Sequence, residues 1–306
     1  MPDNPDTPDA WIRHMKEGNF AEAWKFSDEV LLSGRNRDYR NTPRHFQCIW
    51  NGMSLQGKRV LVRCYHGLGD TIQFIRYAPL LKEIASEVIL WAQPKLIPLL
   101  ETAKGIDNII PLHDGTPEVE YDADVEIMEL AHVFRSTVET IPKEVPYLHV
   151  KKATLPARGT ITAGLVWQSG TWSEDRSVPF SIINKLFELK DITFYILQDR
   201  AEEAGWIRGM GNHPGKCTLL EHAEIINSLD LLITADSMPA HLAGALNVPV
   251  WVMIPLNADW RWMENRDDCP WYPSMRLFRQ EKEGDWEGVV GRIAGELEKQ
   301  KVKGKR

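Results

Sequence analysis

The chain has no apolar run approaching the roughly 20 residues that a bilayer-spanning helix requires, so no integral membrane segment is expected. Its opening stretch, Met1 to Ala10, is polar and rich in proline and aspartate where a secretory leader would be apolar, and a cytoplasmic location is therefore expected. Cysteine is scarce. Cys48, Cys64, Cys217 and Cys269 lie far apart without a CxxC pair, which argues against both a disulfide framework and a thiolate zinc site. Long basic blocks are missing too. The net charge is −7, and the tail holding Lys299, Lys301, Lys303, Lys305 and Arg306 is short enough to be a solvated end, so no nucleic-acid partner is expected.

What is present is apolar material sufficient for two cores: 306 residues, 43% of them hydrophobic, at about 100 to 200 residues per domain. Twelve tryptophans are many for this length; aromatic faces suit sugars and bases, and each is equally serviceable as core. Between residues 11 and 32, Gly18-Asn19-Phe20-Ala21-Glu22-Ala23-Trp24 with Phe26, Val30 and Leu31 has helical spacing. It has the look of one tetratricopeptide-style (TPR-like) unit. Without further repeats it predicts a helical cap over 1–50, packed on the next domain.

A strand over 58–64, a helix over 70–84 and a strand over 88–91 form a βαβ unit, which requires a parallel sheet. Weaker alternation continues at 109–111 and 125–128. A linker rich in proline, lysine and glycine runs from Pro142 to Gly159 and closes a first α/β domain over 51–155. A second series occupies 156–306. It has strands at 162–167, 193–197, 231–234 and 250–254, helices at 182–189, 223–228 and 240–246, and a terminal helix at 286–297. The expected class is α/β: two Rossmann-like domains with parallel sheets plus the N-terminal helical cap.

The first strand runs into Tyr65-His66-Gly67-Leu68-Gly69-Asp70-Thr71-Ile72-Gln73. A dinucleotide fingerprint would need a third glycine where Ile72 stands and an acidic residue near Trp91-Ala92-Gln93, and both are lacking. What remains is a flexible turn that brings Asp70 to the C-terminal edge of a parallel sheet, where ligands of such folds bind. Asp70 would serve equally as a helix N-cap, worth about 1 kcal/mol.

In the second domain, Gly164-Leu165-Val166-Trp167-Gln168-Ser169-Gly170 opens into a small-residue loop followed by Trp172, Asp175 and Arg176. Its amides and the arginine suit a diphosphate, and a plain surface loop would look the same. The run Thr234-Ala235-Asp236-Ser237-Met238-Pro239-Ala240-His241 ends a strand at a polar cluster with proline in the first helical turn. Free amides there, with Ser237 and His241 on one side, would face an anion such as a nucleotide diphosphate; a capped helix with a packed histidine competes with that reading. Asp122-Ala123-Asp124 matches the DxD of metal-dependent glycosyltransferases in letters alone, since it precedes a strand instead of closing one, and no metal or cofactor is expected.

Taken together these segments resemble glycosyltransferase family nine, the ADP-heptose:lipopolysaccharide heptosyltransferase-like family. Gly67-Leu68-Gly69-Asp70-Thr71-Ile72-Gln73-Phe74 is similar to its N-terminal motif, and Asp236-Ser237 with His241, Gly244-Ala245-Leu246 and Pro249-Val250 to its second-domain motif. Asp259-Trp260-Arg261-Trp262, Pro270-Trp271-Tyr272-Pro273 and Arg276-Leu277-Phe278-Arg279-Gln280 resemble the branch often fused to tetratricopeptide repeats. The likeness runs from about Gly57 to Val290. It departs from the family's pattern at Met238 and Pro239 and lacks a clear phosphate-binding lysine near Arg176.

The resemblance implies a GT-B fold whose sheets face a central cleft, and a metal-independent inverting transfer of heptose or a related sugar from a nucleotide-diphosphate sugar to a hydroxyl acceptor on a glycan, lipopolysaccharide core or protein. It places the base at Asp70, the donor at Gln168, Arg176, Gln198, Asp236, Ser237 and His241, and the acceptor or cleft at Gly67, Gly69, Gln73 and Trp260. A non-catalytic nucleotide-sugar-binding protein and a sugar-nucleotide epimerase of the same fold are the alternatives.

Overall fold

The computed structural model describes residues 7–34, 43–44, 47–156, 159–170 and 174–304; Trp172, the linker residues Ala157 and Arg158, and the tail residues Lys305 and Arg306 lie outside the described residues. Two helices come first, α1 (Thr7–Lys16) and α2 (Phe20–Ser33), turned on Gly18, whose φ of +80° favours glycine. Their apolar faces bury Ala10, Met15, Phe20, Ala23 and Trp24. Two contacts fix the pair to the first sheet unit: the Trp24 indole N–H is donated to the Ser136 carbonyl at 2.7 Å, and Asp28 accepts from Arg135 at 2.8 Å. The helix pair therefore packs on the sheet unit next to it in the chain.

That unit is built on β1 (Arg59–Arg63), β2 (Glu87–Ala92), β3 (Asn108–Pro111) and β4 (Ala123–Glu126), all parallel in the order β3-β2-β1-β4. Val60, Leu61 and Val62 of β1 are buried, as a strand covered on both faces must be. The helix expected over 70–84 is split into α3 (Leu68–Phe74), a 3-10 turn (Ile75–Tyr77) and α4 (Ala78–Ile84). Pro79 explains the break: it sits in the first turn of α4, where its missing N–H and its ring are tolerated, whereas in a helix interior both disrupt the ladder. Short helices α5 (Ile97–Leu100) and α6 (Leu130–Val133) complete the connections. Asp122, just before β4, and Asp124, within it, are held by Arg59 at 3.0 Å and Arg63 at 2.7 Å, so the DxD-like letters form two ion pairs.

The second unit has five parallel strands, β5 (Ile161–Val166), β6 (Ile192–Ile196), β7 (Leu231–Ala235), β8 (Val250–Ile254) and β9 (Met275–Arg279), in the order β6-β5-β7-β8-β9. β9 was not expected from the sequence, although Met275 and Leu277 are buried around an exposed Arg276 in strand alternation. Helices α7 (Phe180–Ile183), α8 (Leu219–Ile226), α9 (Met238–Ala245) and α10 (Trp286–Gly304) pack around the sheet. The helix expected over 182–189 is one turn of α7 followed by a 3-10 stretch (Asn184–Glu188), in keeping with the low helix propensity of Ile182, Ile183 and Asn184. Trp167, Met253, Val289 and Ile293 are fully buried in a core shared by the strands and α10.

The first unit comprises Met1–Leu148 together with Asp259–Asn265, and the second His149–Ala258 with Arg266–Arg306. A short stretch from late in the chain thus belongs to the unit built by its first half, and this stretch contains Asp259-Trp260-Arg261-Trp262.

Candidate active site

In the first unit, the turn after β1 carries Tyr65, His66 and Gly67 into α3. Gln93, just past β2, braces it: its amide donates to the His66 carbonyl at 2.8 Å and its oxygen accepts from the Thr71 hydroxyl at 3.0 Å. Asp70, in the first turn of α3, accepts the Gly67 backbone N–H on Oδ2 at 2.8 Å and Nη2 of Arg261 on Oδ1 at 2.5 Å. Both ends of the carboxylate are therefore fixed, while the side chain keeps 22% exposure. Arg261 is in turn held by Asp259, which accepts its Nη1 at 2.9 Å, and its guanidinium lies over the Trp260 ring at 4.9 Å.

Beneath this pair are two acids contributed by the end of β4 and the 3-10 turn (Ile127–Glu129). Glu126 is buried, its Oε2 accepts the Met128 N–H at 2.7 Å, and His66 Nε2 stands 3.7 Å from the same oxygen. Burial pushes its carboxyl well above the usual range, and the charges of Glu129 and Asp70 add to the shift. Burial likewise raises Glu129 to about 7, although Ile49, Trp50 and Glu126 all donate backbone N–H groups to its Oε2.

In the second unit the strand ends carry a different chemistry. Gln198 comes just after β6 and accepts the Trp167 and Gln168 N–H groups at 3.0 and 2.8 Å while donating to the Asp199 carbonyl, so both ends of its amide fix the loop after β5. Asp236, the residue after β7, is buried, and Arg176 Nη1 lies 3.7 Å from its Oδ2 and 3.4 Å from its carbonyl oxygen. Ser237 is the N-cap residue of α9 in an extended conformation; its hydroxyl donates to the Ala235 carbonyl at 3.1 Å and makes no cap bond. In the first turn of α9 the Ala240 N–H is donated to the Ser237 carbonyl at 3.0 Å and Pro239 has no N–H to offer. His241 is buried, with Nδ1 3.1 Å from the Tyr272 hydroxyl. Gly244 lets this pair form, since a Cβ there would lie 2.3 Å from the Tyr272 ring.

No protein-family model matches the chain. Among curated proteins it is 26% identical over 285 residues to Protein FlbA of Caulobacter vibrioides, covering 81% of this chain and 48% of that protein, so it spans about half the length of this relative. Two solved structures superpose on it at low identity. The glycosyl transferase family 9 protein of Veillonella parvula DSM 2008 gives a TM-score of 0.57 at 13% identity, over 81% of this chain and 97% of the other. The E. coli ADP-heptose LPS heptosyltransferase II gives 0.56 at 14%, over 81% and 100%. The fold is that of the family nine glycosyltransferases.

On this family nine fold the structure sorts the residues expected from sequence. Asp70, Gly67 and Gly69 lie together at the turn after β1, the first two bonded to each other. Arg176, Asp236, Ser237 and Gln168 lie at strand ends and loops of the second unit, with Arg176 on Asp236. Gln73 is fully buried, and its side-chain amide has no hydrogen-bond partner among the described residues. Trp260 packs edge-on against Trp11 at 5.4 Å and near Phe74 at 6.5 Å, as part of an aromatic cluster with the helical cap. Gln198 and His241 are committed to internal bonds, the packed-histidine alternative for His241 included. Sequence reasoning did not place Arg261, Asp259, His66, Glu126 or Tyr272 in either site. The sequence clues to the first two were the family-like segment Asp259-Trp260-Arg261-Trp262 and the opposite charges that flank Trp260.

Proposed function

We propose that the chain is a glycosyltransferase that moves a sugar, heptose or a related one, from a nucleotide-diphosphate sugar to a hydroxyl acceptor with inversion and without a metal ion. The observation that carries this reading is Asp70, a partly exposed carboxylate held by Gly67 and Arg261 at the C-terminal edge of the first parallel sheet. Each carboxylate oxygen accepts two hydrogen bonds, so one N–H per oxygen leaves capacity for an acceptor hydroxyl. In the reaction the acceptor oxygen bonds to the anomeric carbon, the bond from that carbon to the diphosphate oxygen breaks, and the hydroxyl proton passes to Asp70. The departing diphosphate gains negative charge, and Arg176 with the positive N-terminal end of α9 are the groups in the second unit suited to stabilise it.

The name of one structural neighbour, an ADP-heptose LPS heptosyltransferase, makes ADP-heptose the first donor to try. Among the described residues no group of three His, Cys, Asp or Glu side chains could hold a metal, and none of the helices is long and apolar enough to cross a membrane. The engagement of both Asp70 oxygens also supports a second reading, a nucleotide-sugar-binding protein without turnover. A panel of nucleotide sugars with excess chelator separates the two. Sugar transfer to a hydroxyl acceptor is expected, unchanged by chelation. Tight binding with no transfer to any acceptor favours the binding protein, and a loss restored by magnesium or manganese contradicts the metal-free mechanism.

A further inference from the structure

Arg261 belongs to a stretch that several other residues also tie to the first unit. Trp262 is fully buried and Met263 nearly so, the Glu264 N–H is donated to the Lys16 carbonyl at 2.9 Å, and Trp260 packs on Trp11. The guanidinium is nonetheless pinned from several directions. Asp259 Oδ1 accepts both its own Nη1 at 2.9 Å and its backbone N–H at 3.0 Å, the Trp260 ring lies beneath it, and Met128 Sδ is 3.8 Å from Nη2. Nη2 of the guanidinium so held meets Oδ1 of Asp70 at 2.5 Å.

We propose that Arg261 is a positioning residue for Asp70, acting with the Gly67 N–H to fix the plane of the carboxylate so that a lone pair of Asp70 is held toward the acceptor hydroxyl, with Asp259 as the clamp that holds Arg261. Two donors on opposite oxygens remove the rotation about the Cβ–Cγ bond that a singly capped carboxylate would keep. Arginine suits this because its donors are fixed in one plane, whereas a lysine ammonium is a point charge on a flexible stem. Orientation matters in such a step because a displacement of about 1 Å at a reacting group costs roughly 100-fold in rate. The proposal rests on the glycosyl-transfer reading above. It extends that reading to a residue on a segment distant in sequence from the base it serves.

The test compares the parent protein with Arg261→Gln, Arg261→Lys, Arg261→Ala and Asp259→Asn, measuring kcat, the donor KM and the melting temperature. With the parent turning over, Arg261→Gln is expected to lower kcat by about 10- to 100-fold with the donor KM within twofold and melting little changed. Arg261→Lys should recover only part of that loss, and Asp259→Asn should lie between parent and Arg261→Gln. Added guanidinium should restore part of kcat to Arg261→Ala and none to Asp70→Asn. If Arg261→Gln does not fold, the lysine variant and the guanidinium rescue carry the test. A kcat within twofold of the parent in Arg261→Gln, or a loss not relieved by guanidinium, overturns the positioning role and leaves the transferase reading standing. A parent protein that transfers no sugar overturns both.

Discussion

Replacing Glu129 by glutamine should make the protein more stable at alkaline pH and leave it nearly unchanged at acid pH. Glu129 sits at the end of a 3-10 turn with one oxygen accepting three backbone N–H groups, from Ile49 at 3.1 Å, Trp50 at 3.0 Å and Glu126 at 2.9 Å. Those donors favour the anion, yet burial outweighs them and moves the carboxyl from an ordinary 4.5 to about 7. Between these values the folded chain keeps a proton that the unfolded chain has released, so stability falls as pH rises through the window. At 1.36 kcal/mol per pKa unit, the cost approaches about 3 kcal/mol above pH 7 and vanishes below about pH 4.5. A glutamine retains an accepting oxygen for the three N–H groups and carries no charge at any pH. Urea unfolding of parent and Glu129→Gln at pH 5 and pH 8 should show the stability difference moving in favour of the variant by about 1 to 3 kcal/mol on going to the higher pH. A difference that is the same at both pH values, or that moves against the variant, would refute the assignment of a buried, proton-holding carboxyl here.

Two further outcomes concern the second unit. Arg176→Ala should weaken binding of a nucleotide sugar by roughly 1 to 3 kcal/mol in calorimetry, the scale of a charge-assisted hydrogen bond, while leaving an acceptor analogue unaffected. Gly244→Ala should lower the melting temperature, because a Cβ 2.3 Å from the Tyr272 ring forces that ring and its bond to His241 to move; overpacking of this kind costs about 1 to 3 kcal/mol. An unchanged melting temperature would mean that the ring shifts freely.

The strands that frame both sites were legible because buried parallel strands are written as short apolar runs: 59–63, 161–166, 231–235 and 250–254 need no partner to be recognised. β9 was passed over because its charged Arg276 and Arg279 interrupt the apolar pattern of an edge strand. The place of Asp70 at the turn after β1 was legible because a glycine-rich turn and the helix after it are adjacent in sequence. Its partner was not, since the Asp70 and Arg261 side chains meet only after the chain has built four strands of the second sheet and returned, and no local pattern records that return. Gln198 and His241 were read as ligands for the opposite reason. A polar side chain near a strand end has the same letter whether it faces a ligand or ties down its own loop, and the structure adds the internal partners, the Trp167 and Gln168 amides for one and Tyr272 for the other.

The measurement that bears most directly on the central claim is turnover by Asp70→Asn beside its donor affinity. The asparagine keeps an oxygen for the Gly67 N–H and loses the proton acceptor. The account predicts that turnover with a nucleotide sugar falls by about 100-fold or more, the scale of one general base, while the dissociation constant of the donor stays within a few-fold of the parent's. Turnover of the variant within a few-fold of the parent would show Asp70 to be a helix cap with an ion pair and contradict the mechanism.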